Sequence, residues 1–215
     1  MKNRIPSYIP QNIQSLPVVH KWDEDDPYHL LGQNDKTTEQ ALSRISGFGK
    51  FVFSLGCAEW VIARLGHLVK NSKPRLYLDA CWAYELSSDY RLPYELDDSE
   101  WAGHIEGPIC LALITIINTR YGFDESNAET DSAFAEQVVF HVLSDRDSFK
   151  KWRDSILDRI LNMCPFDQNN AMGDRLPMEV LDPNANIEPN ELSALLLKSL
   201  SELELDSNPY VNRRK

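Results

Sequence analysis

Residues 46–65 read SGFGKFVFSLGCAEWVIARL, and the reading of this stretch decides the fold. With Leu42 and Ile45 before it, the apolar positions Phe48, Val52, Leu55, Ala58, Trp60, Val61, Ile62 and Leu65 recur mainly three and four residues apart, the period of a helix. Thr37 or Thr38 is placed to cap its start, so the spacing predicts a long core helix over 37–65, or two helices with a kink. Gly47, Gly49 and Gly56 each cost about 1 kcal/mol relative to alanine inside a helix. In so apolar a run they predict a close helix crossing where a side chain would not fit.

Outward from this stretch the same period recurs. Pro74 sits where a helix starts well, and Leu76, Leu78, Ala80, Cys81, Ala83, Tyr84 and Leu86 carry a helix to about Ser88. Pro108 opens an apolar run to Asn118, with Gly122 offered as a left-handed cap; taken alone, that run is equally compatible with a buried strand. Residues 127–143 and 147–163 read as two amphipathic helices broken at Ser144-Asp145, and 189–203 as a last one. Between them, 165–189 reads as a long surface loop. The expected fold class is all-α, a multi-helix bundle of about five to seven helices. Residues 1–36, with Pro6, Pro10, Pro17 and Pro27, form an irregular N-terminal arm, and 37–207 a single helical domain. The basic tail 208–215 is expected to be flexible unless Tyr210 and Val211 dock.

Composition separates function classes. Of 215 residues 42% are hydrophobic, enough for a packed core, while 33 acids against 22 bases give a net charge of −11. Such a field repels nucleic acid phosphates and anionic membranes and selects basic partners, so neither nucleic acid nor membrane is expected as a partner. The N-terminus has no apolar signal-like segment, which places the chain in the cytoplasm. Cys57, Cys81, Cys110 and Cys164 show no metal or redox spacing and are expected to be buried free thiols.

Catalytic motifs are absent from the sequence: there is no Gly-rich phosphate loop, no HExxH and no GxSxG. His104-Ile105-Glu106 has the HxE spacing of zinc deaminases but lacks the PCxxC pair that completes their metal shell. No catalytic residue, metal or cofactor is therefore expected. Glu59 and Arg64, beside Trp60, are expected on the polar face of their helix rather than as a buried ion pair. The alternative reading is a helical enzyme with a metal or acid/base site assembled across helices from Glu59, His67, His104 and His141.

The acidic surface is the better lead. The connection over 89–100 ends in Tyr94-Glu95-Leu96-Asp97-Asp98-Ser99-Glu100-Trp101, four acids flanked by aromatics. Carboxylates match basic partner surfaces, and Tyr and Trp give rigid contact area at low entropic cost. Tyr94, Glu95, Asp97, Asp98, Glu100 and Trp101 are the expected partner-binding residues.

The Gly-punctuated helix Ser46-Gly47-Phe48-Gly49-Lys50-Phe51-Val52-Phe53, running into Cys57-Ala58-Glu59-Trp60-Val61-Ile62-Ala63-Arg64-Leu65 in a compact acidic helical chain, resembles bacterial immunity proteins of polymorphic or secreted toxin systems. The resemblance implies a non-enzymatic inhibitor that binds a cognate toxin with a basic surface and occludes its active site. It carries over no functional residues, because these families differ widely in fold.

Overall fold

A computed structural model describes residues 5–214. The chain is 61% helical. Among the described residues the seven α-helices are α1 (Lys36–Ser43), α2 (Gly47–Leu65), α3 (Lys73–Leu86), α4 (Gly103–Glu125), α5 (Ala128–Val142), α6 (Asp147–Met163) and α7 (Leu192–Ser201). Two short strands, β1 (Tyr90–Arg91) and β2 (Asn212–Arg213), pair antiparallel. The all-α multi-helix bundle follows as the period of the sequence predicts.

The 37–65 stretch is two helices. Asp35, not Thr37 or Thr38, caps α1, accepting from the Thr37 N–H at 2.8 Å. The chain then turns at Arg44-Ile45, and Ser46 caps α2 by accepting from the Gly49 N–H. The first N–H groups of α2 would be orphaned at such a break. Ser46, Gly47 and Phe48 donate instead to the carbonyls of Cys164, Ala171 and Met172 at 3.0, 2.9 and 2.8 Å. Part of the loop after α6 is thereby fixed as a cap for α2.

α2 runs through the middle of the bundle, packed by α3, α4, α5 and α6, and nearly every residue on it is buried. It is the one described helix long and apolar enough to cross a bilayer, yet 89% of its apolar window lies inside the fold. The glycines serve the crossing: a Cβ on Gly56 would stand 2.7 Å from the Trp152 ring of α6. All four cysteines are buried free thiols.

Other boundaries moved. α4 is one continuous helix that begins at Gly103, not at Pro108, and it ends on Ser126 at φ 64°, so Ser126 rather than Gly122 takes the left-handed cap. Glu24 of the arm accepts from the Gly103 N–H at 2.6 Å and so caps this start. Pro108 has no N–H to give to the carbonyl four residues back, which is that of His104. The His20 ring occupies that carbonyl instead, its Nε2 lying 2.7 Å from it. The arm is irregular, as expected, but it belongs to the core: Ile9 and Ile13 are buried and Tyr8 stacks on Trp152 at 5.7 Å.

The tail is tied down, against the expectation of flexibility. Tyr90 pairs with Arg213, the Arg214 N–H donates to the Asp89 carbonyl, and Tyr210 meets Tyr77 edge-on at 5.1 Å. The stretch 165–189 also departs from a plain surface loop, since Leu176, Val180 and Leu181 are buried. Glu85 of α3, fully buried, anchors it by accepting from the Leu176 N–H at 2.8 Å, while its other oxygen has no partner.

Burial pushes the Glu85 carboxyl well above the usual carboxylate range, a rise only partly opposed by the Leu176 N–H and by Arg175. A carboxyl whose folded pKa is raised holds its proton where the unfolded chain has lost it. Stability therefore falls as pH rises above the unfolded value, through the folded one. Glu85→Gln keeps the acceptor for Leu176 and removes the titration. Over that window the wild type should lose up to about 1.4 kcal/mol per pH unit relative to Glu85→Gln. Denaturant melts of both proteins between about pH 5 and 7 check this; parallel pH profiles would refute it.

Candidate functional site

A cavity of about 440 Å³ opens over α3 between the arm, the 178–185 segment and the C-terminal segment. Its floor is built by two helices. Arg75 and Asp79 lie one turn apart on α3, with Trp82 a further turn on, so all three project from one face beside Glu59 of α2. Arg75 donates to Glu59 at 2.8 Å and to Asp79 at 2.7 Å, and Trp82 Nε1 donates to the second Glu59 oxygen at 3.1 Å. Glu59 is 2% exposed, and its ion-pair partner is Arg75, not Arg64. The expected placement of Glu59 on a polar helix face is thereby corrected.

Electrostatics in the cavity follow from burial. Removal from water raises the Asp79 carboxyl even against Arg75, while for Arg75 the two carboxylates outweigh desolvation and hold the guanidinium charged. The walls add Glu179, Asp182, Glu202 and Glu204 against the single further cation Lys198, which pairs with Glu179 at 2.8 Å. The concavity is thus strongly negative. Tyr8 lines it from the arm, and its buried hydroxyl has no hydrogen-bond partner.

The loop singled out from the sequence divides into two parts. Tyr94 is 82% exposed, and Glu95, Asp97, Asp98 and Glu100 are all exposed around it. Trp101 is not part of that surface: it is 5% exposed and packs in the core, because the chain must turn inward there to begin α4. Asp97 caps a short turn over Asp98–Glu100, and Glu100 reaches Lys73 at 2.9 Å. Tyr77 of α3 donates to the Tyr94 carbonyl at 2.8 Å and so holds the loop against the bundle.

This loop and the cavity share α3. The C-terminal segment runs along that helix, with the Glu204 N–H on Asp79 at one end, Asn208 on the Leu76 carbonyl, and Tyr210 on Tyr77 at the other. The chain matches no protein family model, no curated protein and no solved structure. What the site does has to be argued from its own geometry.

That geometry does not assemble the four residues of the alternative enzyme reading. Glu59 sits in the cavity, whereas His67, eight residues further along the chain, is about 12 Å further along at 1.5 Å per helical residue. His104 and His141 meet the arm instead, through the carbonyl bound by His20 and through a 2.6 Å contact to the Lys21 carbonyl. Among the described residues no three of His, Cys, Asp or Glu stand where they could share a metal ion.

Proposed function

We propose that this chain is an acidic binding protein that neutralises a cognate, cytosol-acting toxin by docking one-to-one on its basic surface and occluding its active site. One observation carries the reading: a loop with the exposed Tyr94 and the exposed acids Glu95, Asp97, Asp98 and Glu100, held by Tyr77 on the same helix, α3, that floors a carboxylate-lined cavity. A rigid aromatic anchor at the centre of a charged patch is the arrangement of an interface hot spot. The surrounding field steers a basic partner and speeds capture, which suits the removal of a toxin before it acts. A nuclease, whose groove is shaped for a polyanion, is the toxin class whose substrate such a surface mimics.

The test is co-purification with the products of adjacent reading frames, followed by titration of the isolated pair. Replacing Asp97, Asp98 and Glu100 together by Lys should weaken binding at least about 100-fold and reverse its salt dependence. All three side chains are exposed, so the melting midpoint should stay within a few degrees of wild type. Unchanged affinity in this variant removes the proposed surface.

A further inference from the structure

At the far end of α2 from its Ser46 cap lies a second, unlike site. Arg64 is 1% exposed, yet none of its three guanidinium nitrogens has a hydrogen-bond partner. Arginine does not deprotonate in proteins, so this is a buried permanent cation without a counter-charge. The contrast with Arg75, held by two carboxylates, is direct. Its position in the last turn of α2 gives some relief from the helix dipole, which is small beside the cost of desolvating an unpaired charge.

A second orphan stands on the same helix. Trp60 stands one helical turn before Arg64, hence on the same face, and its indole N–H is buried without an acceptor. The rings of His20 and His67 lie within electrostatic reach of Arg64, and because His20 Nε2 donates to the His104 carbonyl, its unpartnered Nδ1 is an acceptor. Unsatisfied buried donors in a native fold require a partner. The guanidinium calls for a negative one and the indole N–H for an acceptor, and no carboxylate among the described residues supplies either.

We propose that the Arg64 guanidinium and the Trp60 indole N–H together bind a small inorganic anion of chloride size. The anion supplies the missing counter-charge at the end of α2.

Calorimetric melting of the full chain at fixed ionic strength, with gluconate exchanged for chloride, tests this. The midpoint should rise with chloride and saturate, and chloride NMR lines should broaden on adding the protein. Arg64→Met removes the cation while keeping the length of the side chain, and should abolish both effects. Trp60→Phe keeps the ring and deletes the N–H, and should weaken chloride about tenfold; it decides the matter if Arg64→Met does not fold. A wild-type midpoint indifferent to the choice of anion, or an equal chloride shift in Arg64→Met, overturns the proposal.

Discussion

Arg75→Met lowers the unfolding free energy by about 3–5 kcal/mol, the loss expected when one partner of a buried ion pair is removed and the other charge stays. Here two charges stay. Glu59 is 2% and Asp79 4% exposed, so neither regains water when the guanidinium goes, and the two carboxylates then face only each other and the Trp82 N–H. For a chain of this length the midpoint should fall by roughly 2–4 °C per kcal/mol. The loss has a pH signature. Without Arg75 the buried Asp79 carboxyl, already raised by burial, loses the guanidinium that opposed that rise, so the folded state takes up protons that the unfolded state does not, and the deficit shrinks as pH falls towards the unfolded carboxylate values. Replacing Glu59 by Gln and Asp79 by Asn in the same chain should recover much of the deficit at neutral pH, since hydrogen-bonding neutral groups tolerate burial far better. A single-variant loss below about 1 kcal/mol would mean that the trio is solvated and the cavity floor is not built as described.

The legible part of the fold was the part written in helical period. Phe149, Trp152, Ile156 and Ile160 mark α6, and its ends fall where 147–163 was read, because an amphipathic helix on the surface of a bundle shows its buried stripe directly. α2 hid its polar residues for the opposite reason. A helix buried on all sides has no solvent face, so Glu59 and Arg64 looked like surface residues in a pattern that has no surface. The start of α4 was misplaced because its cap, Glu24, is 79 residues away in the arm. The tail was misjudged for the same cause: its partners, Tyr77 and Tyr90, are distant in sequence.

The candidate site was legible in one half only. The acids of the loop and Tyr94 could be named from their crowding, because exposed charge beside an exposed aromatic is a local pattern. The cavity could not, since Glu59, Arg75, Asp79, Trp82 and Glu204 come from three separate stretches of the chain. The single local trace was Arg75 and Asp79 at helical i, i+4 spacing, a pairing so common on exposed helices that it points to no site. Orphaned groups such as the Arg64 guanidinium leave no sequence trace at all, because what marks them is the absence of a partner.

Trp152→Ala should be the most damaging single change, at about 5 kcal/mol or more. The truncation alone accounts for about 3–5 kcal/mol. Trp152 is 3% exposed and stacks on Phe149 at 5.4 Å, Tyr8 at 5.7 Å and Phe53 at 6.2 Å, with Trp60 at 5.9 Å. Its ring fills the hollow that Gly56 leaves in α2, so α2 and α6 cannot close the gap without a backbone shift. Its indole N–H also donates to the Leu181 carbonyl at 2.8 Å, and a buried acceptor left unpaired adds about 1–3 kcal/mol. Trp152→Phe separates the two contributions: it keeps most of the ring and deletes the donor, so it should cost about 1–3 kcal/mol by chemical denaturation. Because Trp152 joins the arm, α2, α6 and the segment after Pro177, the truncated protein should also admit protease near Tyr8 and near Leu181 before global unfolding. Equal losses in the two variants would show that the stacking contributes nothing beyond the one hydrogen bond.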